Sequence, residues 1–368
     1  MSNRNLKGLY FIFLLITGLV LFQSCSVHKA AFEGTAWNRY NSDAATAYNQ
    51  ESFNEITELL KSTPATSLMA IQNGKVIYEY GDVEKVSYIA SCRKSVLSML
   101  FGKHVANGTI DLNATIGSLG IDEADGLLDR EKQATVDHIL TSRSGVHHVA
   151  SNAGYDKESF LERGSVEPGT YFVYNNWDFN VAGHILEQYT GRSIYQELED
   201  QLAKPLGFQD WNIKNQKKSG NTKKSQYKAY HIYISTRDMA KIGQLMLNEG
   251  AWKGEQLIPK EWVKRTTSTV TDLEEMIDRF GEPGPDAITF EYGYMWWLIS
   301  NYRGNKAFEG AYTAIGYGGQ FITVLPAIDM VVVLKTKLDL LTMIGIRYKE
   351  TPGDDYWKVI DMLSKARK

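Results

Sequence analysis

One stretch of the chain, residues 91–106, constrains the fold more than any other. It begins with Ser91-Cys-Arg-Lys94, continues as the apolar run Ser95-Val-Leu-Ser-Met-Leu-Phe101 and stops at Asn107-Gly108. Apolar residues fall on most faces of the predicted helix, so the helix has to be buried inside the protein. With 368 residues, the chain is long enough to build one large domain, or two closely packed subdomains, around it.

The start of this helix carries a candidate nucleophile. Ser91 and Lys94 are three residues apart and share one helix face. A serine hydroxyl is a weak nucleophile until a base takes its proton, and a buried lysine can do so because burial lowers its pKa. The helix start also directs backbone N–H groups toward an incoming acyl oxygen. We therefore predict that Ser91 is a catalytic nucleophile.

The Ser-x-x-Lys pattern is weak by itself. It occurs at Ser26–Lys29, Ser91–Lys94 and Ser225–Lys228, and only the middle copy leads into a buried-looking helix. The alternative interpretation of that copy is an N-capping serine beside a partly exposed lysine. The rest of the chain has to decide between the two.

Composition excludes several classes of protein. A hydrophobic content of 43% and a charged content of 23% are typical of a globular protein. The formal net charge of −3 does not favour nucleic-acid binding, which calls for a basic face. No Cys/His cluster has metal-ligand spacing, and the predicted chemistry needs neither a metal nor an organic cofactor. Of the two cysteines, Cys92 is interpreted as a small buried helix residue.

The N-terminus predicts export. Two basic residues precede the uncharged apolar run 8–22, and Gln23-Ser24-Cys25 follows it. This is the pattern of a secretory signal, too short for a comfortable membrane span. Its end resembles a bacterial lipoprotein cleavage site, so residues 1–24 are the predicted signal peptide, Cys25 the lipidated residue and 25–50 a tether. An ordinary signal peptide or N-terminal anchor is the alternative. In each case we expect an exported body, and with the lipid we expect a membrane-anchored lipoprotein facing the periplasm or the cell exterior.

The remaining chain, 51–368, predicts an α/β (α+β) domain. A hairpin turning at Asn73-Gly74 lies near one end, and strand-like segments lie near the other. Strands at both ends with helices between them favour one antiparallel sheet built from the two termini, with a mostly helical subdomain inserted at about 109–230. The predicted strands cover 67–80, 291–299, 319–325 and 329–336, and predicted helices include 177–190, those opening at Ser193 and Ser235, and 354–366.

A second candidate site segment is Tyr174-Asn175-Asn176, the only Tyr-x-Asn in the chain. A tyrosine near two positive charges can lose its proton well below its usual pKa of about 10 and act as a general base. Asn176 could donate a hydrogen bond to a substrate carbonyl and contact Lys94. The alternative is a helix cap with a packed tyrosine.

A third segment, Ala314-Ile-Gly-Tyr-Gly-Gly-Gln320, precedes a predicted strand. Glycines at the lip of a strand let the backbone approach a ligand closely. An outward N–H there could pair with that of Ser91 to form an oxyanion hole. The alternative is an ordinary turn before a strand.

Ser91-x-x-Lys94, Tyr174-x-Asn176 and this glycine-bearing strand edge together resemble the serine β-lactamase and penicillin-binding protein superfamily, in its class C and esterase branch. The resemblance covers about residues 55–365. It implies a β-lactamase/transpeptidase-like fold in which Ser91 attacks, Lys94 and Tyr174 move protons, and Asn176 orients the substrate. The backbone around Gly316 and Tyr317 would hold the oxyanion. Supporting signatures are 139–145, 191–193, 205–207 and 235–238.

One departure shapes the expected substrate. β-Lactamases have Lys-Thr-Gly or His-x-Gly as the third motif, whereas Ala314-Ile-Gly316 stands there in this chain. The missing cation favours an esterase or amidase, and Tyr292-Gly-Tyr-Met-Trp-Trp297 is similar to the nylon-oligomer (aminohexanoate-dimer) hydrolases. Arg143 or Arg303 could replace the cation.

We therefore expect a serine hydrolase that acts through an acyl-enzyme on a small ester or amide. The alternatives are a peptidoglycan D,D-carboxypeptidase or class C β-lactamase, and a non-catalytic binding lipoprotein with a hydrolase fold.

Three minor expectations concern residues near the site. His147 and His148 are interpreted as loop or rim residues, Trp296 and Trp297 as pointing to opposite faces of a strand, and Asp178 as the partner of a cation or an aid to its helix start.

Overall fold

The structure is a computed structural model that describes residues 36–39, 47–152, 161–338 and 350–368. The predicted signal peptide, Cys25 and most of the predicted tether lie outside the described residues, so these remain predictions. Among the helices that the structure describes, none combines the length and the apolar character needed to cross a bilayer.

The central element of the described chain is a seven-stranded sheet in the order β2-β1-β13-β12-β11-β10-β9. Each pair of neighbours is antiparallel. Two strands come from the N-terminal part and five from the C-terminal part, as the sequence predicted. The strands are β1 (Ser67–Gln72), β2 (Lys75–Gly81), β9 (Thr289–Tyr292), β10 (Trp297–Asn301), β11 (Tyr312–Gly316), β12 (Gln320–Leu325) and β13 (Met330–Lys335).

Helices cover both faces of this sheet, so that every residue of β1, β12 and β13 is buried. One face packs on helices from the two ends of the chain and the other on the nucleophile helix and its neighbours. The helices are α1 (Gln50–Lys61), α2 (Cys92–Ala106), α3 (Val136–Leu140), α4 (Asn176–Thr190), α5 (Ile194–Leu198), α6 (Lys204–Leu206), α7 (Thr236–Leu247), α8 (Lys260–Thr266), α9 (Leu273–Phe280) and α10 (Gly353–Lys365).

Helix α2 is as buried as its sequence predicted. Every residue from Cys92 to Gly102 is buried, and the helix ends at Asn107. Gly102 allows the close approach of α8, because a Cβ there would lie 2.5 Å from a ring carbon of Trp262. The helix thus lies between the sheet and the inserted region.

The inserted region contains α3–α6, but it is not purely helical. Short strand pairs also occur there and beside it: β3 (Ser87–Tyr88) with β6 (Tyr233–Ile234), and β4 (Lys217–Ser219) with β5 (Ala229–His231). Another short pair, β7 (Ala251–Trp252) with β8 (Glu255–Gln256), follows α7. Ser225, the serine of the third Ser-x-x-Lys copy, is buried and donates a hydrogen bond to Glu123, which fits a structural role.

The predicted single strand at 291–299 is wrong, because the chain turns between β9 and β10. Gly293 approaches the backbone so closely that a Cβ would lie 2.4 Å from the Thr266 carbonyl oxygen, and Met295 has a left-handed φ of 62°. A continuous strand allows neither feature. The turn places Trp296 in the core and leaves Trp297 at the start of β10.

Candidate active site

Ser91 lies at the junction between β3 and α2. The preceding residue, Ala90, has a φ of 48°, a left-handed conformation that a non-glycine residue adopts only when its surroundings hold it there. Ser91 is the N-cap residue of α2, yet its side chain makes no capping hydrogen bond. The alternative interpretation of Ser91 as an N-capping serine is therefore wrong, and its hydroxyl is directed elsewhere.

Lys94 is buried in the first turn of α2, with 1% of its surface exposed. Its Nζ lies 3.9 Å from the ring centroid of Tyr174 and 4.0 Å from that of Phe179. Within the described residues, this Nζ has no hydrogen-bond partner. Burial lowers the pKa of the Lys94 amine well below its usual value, and the charge of Arg93 lowers it further. These surroundings disfavour the charged form of the amine.

The Ser91 side chain is a hydrogen-bonding neighbour of the Tyr174 phenol and lowers its pKa. Its ring packs against Phe179 at 4.9 Å and Trp297 at 5.4 Å between centroids. The expectation of a lowered pKa is wrong for this tyrosine, because burial raises the Tyr174 pKa to about 12. The hydrogen bond from Ser91 and the Arg93 charge oppose the rise without cancelling it. The phenol therefore carries its proton at neutral pH.

Asn175 fixes the segment that carries Tyr174. Its Oδ1 accepts a hydrogen bond from the Trp177 N–H at 3.0 Å and so caps α4. Its Nδ2 donates to the carbonyl oxygens of Val146 at 3.2 Å and His148 at 3.1 Å. The helix cap given as the alternative for this segment is therefore present, whereas the two contacts with the preceding loop were not predicted. Asn176 is the first residue of α4 and is buried.

The end of β11 packs against the residues that precede Ser91. A Cβ on Gly316 would lie 2.6 Å from the Ile89 carbonyl oxygen and 3.2 Å from the Ala90 Cβ, so only glycine fits. Tyr317 follows at the lip of the strand and is half exposed. Cys92 is buried, and its Sγ donates to the carbonyl oxygens of Ala314 at 3.5 Å and Gln320 at 3.3 Å. These contacts join the N-terminus of α2 to β11 and β12.

Arg143 and Arg303, the two candidates to replace the cation of the third motif, both interact with other groups. Arg143 forms an ion pair with Glu275 at 2.8 Å and donates to Thr271. The side chain of Arg303 is 51% exposed and lies near Asp286. Both arginines therefore have carboxylate neighbours of their own.

The structure brings two other cations to the nucleophile instead. Arg93, inside the motif, is only 2% exposed. Lys335 of β13 is also buried and donates to the backbone carbonyls of Ser87 and Ile234, next to the start of α2. Burial lowers the pKa of Lys335 to about 7. Sequence reasoning had no signal for Lys335, which looks like the polar end of a strand.

Three neighbouring residues lie where the sequence expected them, His147 and His148 in a loop and Asp178 in the first turn of α4, but their surroundings were not predicted. His147 and His148 are buried rather than at a rim, and His148 lies 3.1 Å from Asp125. Asp178 is buried and accepts a hydrogen bond from Ser144 Oγ at 2.7 Å. Burial raises the pKa of Asp178 well above its usual value, and its hydrogen-bond partner is Ser144 rather than a cation. Over the described ranges, no cluster of three or more His, Cys, Asp or Glu residues could hold a metal ion.

An apolar cavity of about 200 Å³ lies beside the site. Trp297 contributes to the cavity wall and also packs on Tyr174. The indole ring of Trp297 therefore separates the cavity from the Tyr174 phenol. Phe280 at its edge is 53% exposed. The lining residues are Leu273, Met276, Ile277, Phe280, Gly281, Pro283, Ile288, Thr289, Phe290 and Trp297.

Curated relatives resemble this chain at the level of sequence. An uncharacterized protein of Alkalihalophilus pseudofirmus is 25% identical over 269 residues, which cover 67% of this chain and 72% of the relative. The monacolin J acid methylbutanoyltransferase of Aspergillus terreus is 26% identical over 160 residues. That match covers 35% of this chain and 38% of the transferase.

Solved structures resemble the whole domain. A Bacillus anthracis protein named for 6-aminohexanoate-dimer hydrolase activity matches with a TM-score of 0.61 and 20% identity, covering 84% of this chain and 80% of that one. A variant of the simvastatin synthase LovD from Aspergillus terreus matches with a TM-score of 0.62 and 16% identity, covering 86% and 97%. EstCE1, a hydrolase with promiscuous acyltransferase activity, matches with a TM-score of 0.60 and 13% identity, covering 88% and 100%.

The family comparison covers most of the domain. The family model described as Beta-lactamase matches residues 54–341, which is more than half of the chain. The antiparallel sheet with its helical layers is also the fold of the solved relatives. The resemblance found in the sequence is therefore confirmed, and the chain belongs to the Beta-lactamase family of serine hydrolases, with the β-lactamase/transpeptidase-like fold.

Proposed function

We propose that this protein hydrolyses a small ester or amide through an acyl-enzyme on Ser91. One observation carries the proposal: the Ser91 side chain acts on the Tyr174 phenol as a hydrogen-bonding neighbour, and the ring of that tyrosine faces the buried Lys94 amine. A hydroxyl beside a phenol, with an amine against the face of the phenol ring, supplies the groups from which an activated nucleophile for acyl transfer is built.

In the first step, Ser91 Oγ attacks the substrate carbonyl carbon and loses its proton. Because burial raises the Tyr174 pKa to about 12 and lowers that of the Lys94 amine well below its usual value, the phenol passes its own proton to Lys94 Nζ while accepting the proton of Ser91. The two groups titrate as a coupled pair, and Lys94 ends with the proton. The backbone N–H groups of Ser91 and Tyr317 stabilise the oxyanion.

In the second half, the proton returns from Lys94 through Tyr174 to the leaving alkoxide or amine as the tetrahedral intermediate collapses. Water then attacks the Ser91 ester, and its proton follows the same route as the first. The products are the free acid and the regenerated serine, and no metal or cofactor takes part in this scheme.

The surroundings of the site favour a substrate whose acyl or alcohol group is apolar. The third motif offers Ala314 where a carboxylate-binding cation would stand, and the cavity beside Trp297 is apolar. The relatives include proteins named for amide hydrolysis, ester hydrolysis and acyl transfer. The second candidate is a D,D-carboxypeptidase or a class C β-lactamase. It is supported by the match to the Beta-lactamase family model and by the similar fold of a penicillin-binding protein homologue.

The N-terminal segment adds a proposal about location. A lipid on Cys25 would anchor the enzyme to an exported membrane face. Incorporation of labelled palmitate into the full-length chain, lost in Cys25→Ala, tests this proposal, and equal labelling of the variant would contradict it.

The function itself is tested by a substrate panel on the full-length chain in detergent. We expect turnover of p-nitrophenyl esters and anilides by the wild-type chain and none by Ser91→Ala. Nitrocefin hydrolysis or D-alanine release without ester turnover would instead support the second candidate. Absence of all these activities, together with no acyl-enzyme, would favour a non-catalytic lipoprotein.

A further inference from the structure

Arg93 is a buried cation whose role the mechanism above does not explain. Its guanidinium carbon lies 5.0 Å from the ring centroid of Tyr230, and 2% of the residue is exposed. Within the described part of the chain, Nε and Nη2 have no hydrogen-bond partner, and the guanidinium forms no ion pair. Arginine is almost never buried without a partner, because an uncompensated buried charge is costly.

Among the described residues, no group around Arg93 provides a negative charge at neutral pH. Burial raises the pKa values of the neighbouring phenols and lowers that of His231 to about 4. These groups are therefore neutral, and the guanidinium charge is left uncompensated. The groups that interact with it are Tyr88 of β3, Tyr174 before α4, Tyr195 of α5, and Tyr230 and His231 of β5.

Lys94, the next residue of α2, also has no compensating anion in the described ranges. The only other titratable group acting on it from its own helix is the Cys92 thiol, and burial raises the pKa of that thiol. From α4, Asp178 accepts a hydrogen bond from Ser144, and burial raises its pKa well above the usual value, which disfavours its charged form. On α5, Glu197 is paired with His104 at 2.7 Å, at the far end of α2.

The other elements packed on α2 bring no anion to its first turn. Helix α8 approaches the middle of α2, where Trp262 Nε1 donates to the Ser98 carbonyl oxygen at 2.8 Å. From β13, Lys335 acts on Cys92 and adds a further positive charge. The charged groups of α8 are Lys260, Glu261, Lys264 and Arg265.

Two adjacent buried cations without an anion cannot both keep their charge at low cost. Guanidinium does not deprotonate in proteins, whereas an ammonium does. The amine of Lys94 is therefore the group that gives up its proton. The sequence order Arg93-Lys94 fixes this outcome, because the backbone holds the two side chains on one turn.

We propose that Arg93 is a positioning residue whose fixed charge keeps the Lys94 amine unprotonated in the resting enzyme, ready to receive the Ser91 proton. After that transfer, the same charge favours movement of the proton from Lys94 to the leaving group. The inference rests on the proposed function in one respect, the role of Lys94 as the proton acceptor. The effect of the Arg93 charge on Lys94 does not depend on any substrate.

The direct test is the titration of Lys94 by NMR in protein labelled with [ε-¹³C]lysine. A Lys94→Met spectrum assigns the signal, which is necessary because the pKa of Lys241 is also lowered, to about 8, and that of Lys335 to about 7. In Arg93→Met, we expect the Lys94 midpoint to rise by about one pH unit or more. Arg130→Met, which removes a surface arginine paired with Glu167, is the matched control and should leave the midpoint unchanged.

A second readout is the acid limb of the kcat/KM profile for p-nitrophenyl acetate, which should move to higher pH in Arg93→Met by the same amount. A merely structural role of Arg93 would lower kcat/KM at every pH without moving the limb. If Arg93→Met does not fold, Arg93→Gln serves for both measurements.

The outcomes separate the two proposals. An unchanged Lys94 midpoint in the folded variant overturns the inference about Arg93, whatever the activity. A raised midpoint, with hydrolysis that persists in Ser91→Ala, supports the inference and refutes the proposed function.

Discussion

Gly316→Ala tests whether the end of β11 is held against the turn that carries Ser91. The new Cβ would lie 2.6 Å from the Ile89 carbonyl oxygen, about 0.8 Å short of ordinary contact, and 2.9 Å from the Gln320 Cβ. The first of these atoms belongs to the backbone two residues before Ser91. The collision therefore moves either the strand lip or the nucleophile, and both carry the proposed oxyanion donors.

The expected loss follows from the value of one such donor. Removing an oxyanion-hole donor lowers kcat by about 10²–10³. We expect kcat of Gly316→Ala for p-nitrophenyl acetate to fall about 100-fold, with KM changed by less than about threefold because the oxyanion forms only in the transition state. Overpacking of this kind lowers the free energy of unfolding by about 1–3 kcal/mol, so the variant should still fold at 25 °C.

The assay is steady-state hydrolysis with circular dichroism as the folding check. Gly284→Ala is the matched control: its Cβ meets nothing within 4 Å and its φ is not left-handed, so both kcat and the melting temperature should stay at wild-type values. A folded Gly316→Ala enzyme with kcat within threefold of wild type would refute the placement of the oxyanion hole at this lip.

Three further predictions follow from the same geometry. Tyr174→Phe should lower kcat for p-nitrophenyl acetate by about 10²–10⁴, because it removes the hydroxyl that connects Ser91 to Lys94, and unchanged kcat would contradict the relay. Met276→Trp should fill the cavity beside Trp297 and lower the octanoate-to-acetate ratio of kcat/KM for p-nitrophenyl esters roughly tenfold, whereas an unchanged ratio would place the acyl chain elsewhere. Lys335 has a pKa of about 7 in the folded protein and about 10.4 unfolded, so the unfolded state binds more protons between these values and stability rises with pH. The free energy of unfolding of the wild-type chain relative to Lys335→Met should increase by up to about 1.4 kcal/mol per pH unit from pH 7 to 10, and a flat difference in urea titrations would contradict the lowered pKa.

Local signals predicted much of the fold. The Asn73-Gly74 turn, the Gly191 stop of α4 and the capping box at Ser193 all appear where the sequence placed them. Each depends on residues within one turn of one another, so neighbouring sequence is sufficient to specify it. The break between β9 and β10 was missed because it depends on the approach of Gly293 to the backbone of Thr266, a contact between distant segments.

The candidate site was predictable in its composition and not in its electrostatics. Ser91, Lys94 and Tyr174 were found from motifs, and the structure brings them together. The direction of the Tyr174 pKa was not predictable, because the phenol is enclosed by Phe179 and Trp297 from other elements, and burial outweighs the nearby positive charge. The isolation of Arg93 from every described carboxylate is equally invisible in the sequence.

The central claim is that Ser91 is the nucleophile, and covalent labelling tests it most directly. The full-length chain is treated with a fluorophosphonate, its intact mass is measured, and the modified peptide is sequenced by mass spectrometry. We predict one adduct per chain, located on Ser91, and no adduct on the folded Ser91→Ala variant. An adduct on another residue, or equal labelling of the variant, would contradict the mechanism proposed for this enzyme.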